Sequence, residues 1–257
     1  MIPKIIHYCW FGENQLSDKD QECISSWKKY LPDYEIIEWN ESNFNVNCNN
    51  YVREAYNSKK WAYVSDYARF KILYEYGGIY LDTDVELISS IQDIVDKGNF
   101  LACESDNPKL VATGLGFGFE KGNLFLKEIL NDYEEDHFLS QQTTNSYTTV
   151  VERITKILKN KGLKDTSEII CLDNIYIYPK EFFCPLNYTT QQMNITQNTR
   201  SIHWYSGSWI PRNYMNRNKK AVKIRNKIPL CGSFMAFVYM KLTGIIEILK
   251  ELKNKYF

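Results

Sequence analysis

An α/β sheet flanked by helices is the fold class the sequence predicts, and three observations predict it. Strand-like apolar runs alternate with helix-forming patterns through the first half of the chain. Breakers fall at the joints, at Gly12, Pro32 and Gly77-Gly78. The 257 residues, 44% hydrophobic and 15% aromatic, supply enough core formers to bury such a sheet. Basic and acidic residues number 31 each, so the formal net charge is zero. That balance argues against a nucleic-acid partner held by overall charge, and only local charge carries information.

Ile5 to Phe11 is an apolar run stopped by Gly12 and reads as a buried first strand. Lys19 to Tyr30 fits a helix ended by Pro32, and Tyr34 to Trp39 a second strand, which together make a β-α-β opening. From about Ser58 to Tyr76 the chain is a long helix former; Gly77-Gly78 breaks it, and Ile79-Tyr80-Leu81 starts a strand that runs into Asp82. Phe100 to Cys103 and the glycine-flanked Leu115 to Phe119 read as strands, and Phe125 to Tyr133 as a helix. The Gln/Thr/Asn/Ser-rich stretch from His137 to Thr149 reads as a loop, followed by a helix through Leu158 and a strand near Ile169 to Leu172.

The last third changes character. No acid occurs from Phe182 through Ile246, while Arg212, Arg217, Lys219, Lys220, Lys223, Arg225 and Lys227 crowd one stretch. Beyond it, Phe237, Val238, Lys241, Leu242, Ile245, Leu249 and Leu252 recur at helical spacing and predict an amphipathic helix. Pro229, Gly232, Lys241 and Glu247 make this segment a poor membrane-spanning helix. A basic stretch followed by an apolar stripe suits an anionic membrane surface, and equally a helix packed on its own domain. The seven cysteines lack ligand-like spacing, so zinc sites and disulfide frameworks are not expected and a reducing compartment is favoured. The opening Met-Ile-Pro-Lys-Ile-Ile-His lacks a signal-peptide pattern, and the expected location is cytoplasmic, or peripheral on the inner face of the cell membrane.

The chemistry-bearing segment is Gly77-Gly78-Ile79-Tyr80-Leu81-Asp82-Thr83-Asp84. Residues two apart in an extended chain point to one side, so Asp82 and Asp84 present two carboxylates where a strand leaves the sheet. Paired hard oxygen donors suit Mg²⁺ or Mn²⁺, which could bridge a substrate diphosphate. A bare D-x-D is also what a turn with solvated aspartates presents. Asp66 and Arg69 stand at i,i+3 on the long helix with Ala62 and Leu73 on their stripe, which turns the pair toward a pocket; a surface ion pair worth a few tenths of a kcal/mol is the plainer alternative. In Ile202-His203-Trp204-Tyr205-Ser206-Gly207-Ser208-Trp209, one of only three histidines lies among hydroxyls and two indoles, a mixture that can finish a metal site and stack a sugar. A buried aromatic-core histidine reads equally well there.

These segments, with the opening Ile2-Pro3-Lys4-Ile5-Ile6-His7-Tyr8-Cys9-Trp10-Phe11-Gly12, resemble the DXD-containing sugar transferases of glycosyltransferase family 32. That family includes bacterial capsular and exopolysaccharide transferases and the fungal Golgi initiating mannosyltransferases, with the clostridial toxin glucosyltransferase domains more distant. The resemblance is dense from Ile2 to about Glu86, thin from Ser89 to Thr196, and returns at Thr199 to Trp209. It implies a GT-A fold over residues 1–210, with residues 211–257 an added basic and amphipathic part serving a membrane surface or the acceptor. It also implies that Tyr8, Trp10 and Gly12 of the opening strand lie toward the nucleotide and that Asp66 and Arg69 bind the donor sugar. Asp82 would face the ribose and sugar side of the metal site, Asp84 would ligate the metal, and His203 with Ser206 would complete the metal and diphosphate shell. Trp209 would close over the diphosphate.

The reaction implied is retaining transfer of a hexose from a nucleotide sugar, UDP-galactose or UDP-glucose, to a growing polysaccharide or lipid-linked glycan, with Mn²⁺ or Mg²⁺. The leaving phosphate would receive the acceptor's proton, so no protein base is strictly required; Glu104 is the one further acid to watch. A haloacid-dehalogenase-type phosphohydrolase also begins with D-x-D, but wants Thr where Glu86 stands. A noncatalytic nucleotide-sugar-binding module is the other alternative.

Overall fold

In the computed structural model, which describes residues 1–144, 148–188, 190–207, 220, 221, 224, 235 and 238–244, the chain opens as a β-α-β unit. β1 (Ile5–Cys9) leads into α1 (Asp18–Tyr30), whose first turn is closed by a reciprocal capping box between Ser17 and Asp20. β2 (Glu35–Trp39) returns parallel to β1, with Ile6 opposite Ile36. α2 (Asn50–Asn57), capped by the Asn49 side chain, is a helix that the asparagine-rich run around it conceals in the sequence. α3 (Trp61–Tyr76) starts later than the helix-forming pattern at Ser58, because Lys59 takes a φ of 56°.

Gly77 ends α3 with a φ of 69°, its N–H returning to the carbonyl of Leu73. Gly78 follows with a φ of 105°, and a Cβ there would stand 2.7 Å from the carbonyl oxygen of Ile5. Only glycine meets both demands, a left-handed turn and a strand start pressed on its neighbour. The strand it opens is β3 (Gly78–Tyr80), buried along its length.

The remaining elements are β4 (Val85–Leu87), α4 (Gln92–Val95), β5 (Phe100–Asp106), β6 (Lys109–Val111) and β7 (Phe117–Phe119). After them come α5 (Leu124–Glu134), α6 (Phe138–Thr144), α7 (Val150–Asn160), β8 (Ile170–Leu172), β9 (Ile175–Tyr178), α8 (Lys180–Phe183) and β10 (Ser201–His203). The polar stretch expected to be a loop contains α6: Phe138 is fully buried and packs on Tyr51 and Tyr63, and that burial outweighs the composition.

The main sheet runs β2-β1-β3-β7-β5-β9-β8, with β6 hydrogen-bonded to β5. It is mixed: β1 is parallel to β2 and β3, β5 is parallel to β9, and β7 runs antiparallel between β3 and β5. α3 packs across β1, β3 and β7, and its buried Phe70, Ile72 and Leu73 join Phe117 and Phe119 in the core. β4 and β10 form a separate antiparallel pair, and α1 lies against β4. The expected α/β architecture, a central sheet between helices, is therefore present.

The described residues fall into two compact units, Met1–Leu186 with Asn194–Trp204, and Asn187–Met193 with the described residues from Tyr205 onward. In the second, Tyr188 packs on Tyr205 and residues 238–244 are helical. Of the basic stretch only Lys220 is described; Arg212, Arg217, Lys219, Lys223, Arg225 and Lys227 lie outside the described residues, as do Phe237, Ile245, Leu249 and Leu252 of the apolar stripe. Among the described residues no helix is long and apolar enough to cross a membrane. All six described cysteines are free thiols.

His7 braces the sheet from inside. Its Nδ1 accepts from the Trp39 indole at 3.0 Å, and its Nε2 lies 2.9 Å from the Gly77 carbonyl, which fixes the neutral tautomer with the proton on Nε2. Burial lowers its pKa to about 4, with the Gly77 carbonyl opposing the shift. The unfolded chain takes up this proton near 6.5 and the folded chain only near 4, so stability is full above 6.5 and falls as pH drops through that window. At about 1.4 kcal/mol per pKa unit the loss is on the order of 3 kcal/mol. Thermal melts across this range should show the decline, and His7→Gln, which keeps an acceptor and a donor, should remove most of His7's share of the slope.

Candidate active site

Strand β3 ends one residue short of the D-x-D, and the Leu81 N–H still reaches the His7 carbonyl at 3.1 Å, so the chain leaves the sheet at Asp82. The Asp82 N–H then donates to the carbonyl of Gly114 at 3.0 Å, which fastens the exit to the segment between β6 and β7. Asp82 Oδ1 accepts from the Tyr80 hydroxyl at 3.0 Å and from Arg69 Nη2 at 3.3 Å. Its Oδ2 lies over the bare α-carbon of Gly114, where a Cβ would stand 2.0 Å from it.

Arg69 is the hub of this arrangement. It is 4% exposed, and its guanidinium bonds to Asp66 at 3.0 Å, Asp82 at 3.3 Å, the Thr113 hydroxyl at 3.3 Å and the Ser65 carbonyl at 3.2 Å. The Tyr80 ring lies 4.9 Å from its central carbon. The Asp66–Arg69 pair is thus an interior pair and not the surface ion pair that i,i+3 spacing alone also permits. Burial opposes charge on Arg69, but Asp82, Tyr80 and Asp66 outweigh it and hold the guanidinium protonated. Burial raises the Asp66 carboxyl to about 6, against the pull of Arg69.

The other half of the site sits on the β4–β10 pair. Its register sets His203 opposite Val85, and the Trp204 N–H donates to the Asp84 carbonyl at 3.0 Å. On the side away from β10, α1 supplies the missing hydrogen bonds: the Trp27 indole donates to the Val85 carbonyl at 2.7 Å, and the Leu87 N–H donates to Ser26 Oγ at 2.9 Å. His203 Nε2 consequently stands 3.1 Å from Asp84 Oδ1. Burial alone would lower the His203 pKa, but Asp84, Asp82 and Glu104 together raise it. Glu104 is itself raised by burial, with His203 opposing.

Asp82, Asp84 and His203 each offer one donor atom, all within 4.8 Å of one another. An octahedral ion bound at about 2.1 Å spans roughly 4.2 Å between opposite ligands, so a small contraction closes the set around a cation. Two carboxylates and an imidazole suit Mn²⁺, and Mg²⁺ less well because it prefers an all-oxygen shell. The residues present therefore fit a divalent metal, with Asp84 and His203 already paired with each other and Asp82 shared with Arg69.

The opening strand contributes at one remove. Cys9 is buried beside Tyr80 and Arg69, its thiol pushed up to about 12 by burial. Its neighbours are occupied locally: the Tyr8 hydroxyl donates to Glu38 at 2.7 Å, the Trp10 indole to the Asn14 carbonyl at 2.6 Å, and the Gly12 N–H to Glu41 at 2.7 Å. A Cβ at Gly12 would stand 2.6 Å from the Trp61 indole nitrogen. Ser206 belongs to the second unit, and Trp209 lies outside the described residues. The structure adds Tyr80, which the sequence placed only in the strand before the D-x-D, and Thr113 and Gly114, of which the close glycine spacing of Gly114-Leu115-Gly116 is the one trace.

A mixed α/β sheet thus delivers an Asp-x-Asp pair and a histidine beside a buried arginine. Over residues 17–101 the chain matches the family described as "Glycosyltransferase sugar-binding region containing DXD motif". It is 27% identical over 202 residues to a human alpha-1,4-N-acetylglucosaminyltransferase, covering 76% of this chain and 53% of that protein. It is 29% identical over 139 residues to inositol phosphoceramide mannosyltransferase 3 of Schizosaccharomyces pombe, covering 51% of this chain and 37% of that one. The chain thus spans about half or less of the curated relatives it matches. Among solved structures, the PaToxG glycosyltransferase aligns at a TM-score of 0.49 and 18% identity, over 63% of this chain and 70% of that one. A galactosyltransferase in complex with donor and acceptor sugar analogs aligns at 0.46 and 13%, over 79% and 88%.

The contact at Gly114 yields a test. Gly114→Ala places a methyl group into the Asp82 carboxylate and should push it off Arg69, at a stability cost of about 1–3 kcal/mol. A crystal structure of the variant should show the Arg69–Asp82 distance opened beyond 4 Å. A wild-type melt with the pair intact would contradict this account of the site.

Proposed function

We propose that this protein is a metal-dependent, retaining hexosyltransferase that uses a nucleotide sugar, UDP-galactose or UDP-glucose, and extends a polysaccharide or lipid-linked glycan. The observation that carries the reading is the convergence of Asp82, Asp84 and His203 beside the buried Asp66–Arg69 pair. A divalent cation held there would offset the charge that builds on the leaving diphosphate. Asp84 and His203 would hold the ion, Asp82 would orient the ribose and sugar side, and Asp66 with Arg69 would bind sugar hydroxyls. In the transfer, the acceptor oxygen forms a bond to the anomeric carbon as the bond to the diphosphate breaks, and the hydroxyl proton passes to the leaving phosphate oxygen. The engagement of the nearby carboxylates by Arg69, Tyr80 and His203 agrees with a reaction that assigns none of them as general base. The hexose, the uridine base and the retaining course rest on the family resemblance.

Two tests follow from the site. In a screen of sugar nucleotides for hydrolysis, one donor should be turned over with Mn²⁺ and not with EDTA, and Asp84→Ala should lose on the order of a thousandfold in rate. Near-wild-type turnover by Asp84→Ala that resists EDTA would refute the assignment. We also propose that the basic stretch from Arg212 to Lys227 holds the enzyme at an anionic membrane surface, since each Lys or Arg near such a leaflet contributes about 1 kcal/mol. The full-length protein should co-sediment with phosphatidylserine-containing vesicles at low salt and be released as salt rises; a protein that ignores them at low salt would end this proposal.

A further inference from the structure

The acid that follows the D-x-D at the same two-residue spacing, Glu86, lies on β4 directly after Asp84-Val85, and its carboxylate is held through one oxygen. Glu86 Oε2 accepts from the Trp204 indole N–H at 2.7 Å and from the Lys19 ammonium at 3.0 Å. Lys19 in turn sits 4.3 Å above the Trp204 ring and 3.3 Å from Glu22 on the same helix. Trp204 is therefore fixed at three points: its backbone N–H on Asp84, its indole N–H on Glu86, and its face under Lys19.

We infer that Glu86 is the positioning residue of the metal site, acting through Trp204 and Lys19 to set His203 against Asp84. The inference rests on the proposed metal site and deepens it. Trp204 is the residue next to His203, so the strut that holds its ring also limits rotation of the peptide that carries the imidazole. The short β4–β10 ladder pairs only Val85, Glu86 and Leu87 with three partners, too few to hold a metal ligand to a fraction of an ångström. A charge-assisted bond to the indole and a cation over its face supply the missing rigidity. The ammonium of Lys19 also occupies the Glu86 carboxylate, which keeps this third acid from competing as a ligand and keeps the D-x-D two-membered. Partners of metal ligands commonly change metal affinity by 10–100-fold when removed.

The test is Mn²⁺ affinity measured by calorimetry on the full chain without donor or acceptor, alongside the melting temperature of the metal-free protein. Glu86→Ala should weaken Mn²⁺ binding about tenfold. Glu86→Gln, whose carbonyl still accepts the indole hydrogen bond, should recover most of that affinity. Trp204→Phe, which keeps a ring and loses the N–H, should match Glu86→Ala, and the double variant should be no worse than either single one. Wild-type affinity in both Glu86→Ala and Trp204→Phe overturns the inference, as does a Glu86→Gln variant as weak as Glu86→Ala. If the wild-type chain binds no Mn²⁺, the metal reading itself falls and this inference falls with it, an outcome distinct from binding that is indifferent to Glu86. Should Glu86→Ala lower the metal-free melting temperature so far that it does not fold, Glu86→Gln and Trp204→Phe decide alone.

Discussion

A buried guanidinium sets the terms for the rest of this structure. Arg69 lies in the interior, where an unpartnered charge would cost several kcal/mol, and it must be surrounded by acceptors before the core can close. Those acceptors come from three places: Ser65 and Asp66 on its own helix, Asp82 at the exit of β3, and Thr113 in the segment before β7. Satisfying one cation thus brings the helix, the D-x-D and the β6–β7 segment to a common point. The carboxylates that compensate it are also those we propose for the donor, so the same contacts would serve folding and ligand placement.

That coupling explains how far the sequence could be read. The β-α-β opening, the long helix, the Gly77-Gly78 break and the strand running into Asp82 are all local matters of periodicity and breakers, and the structure has them. The i,i+3 placement of Asp66 and Arg69 was legible too, but their burial was not, because it depends on Thr113 and Asp82 arriving from elsewhere. The same holds for Gly114, whose need to lack a side chain exists only because Asp82 lies on it. Composition misled at α6, where one buried aromatic decides the outcome for a polar stretch. β4 and β10 are three residues each, too short for alternation to declare them, and β4 is held as much by Trp27 and Ser26 of α1 as by its partner strand.

The two halves of the site are built by different means. The Asp66–Arg69–Asp82 half is electrostatic and built on a buried guanidinium, with the Asp82 carboxylate still 31% exposed. The Asp84–His203 half is a ladder of minimal length, braced by side chains from α1 and by the Glu86–Trp204 contact. Rigidity in the first comes from packing density, and in the second from hydrogen bonds to side chains.

The second half also joins parts of the chain that are far apart in sequence. Glu86 and Trp204 are separated by 118 positions, and His203 can reach Asp84 only when β10 has found β4. Contacts of such long sequence separation close late, because the entropy of the intervening loop must be overcome first. On a ribosome, the strands from β1 to β9 emerge before the histidine does. The chain should therefore pass through a state with most of its sheet formed and the proposed metal site still open, so that capture of a cation there would report the end of folding and not its beginning.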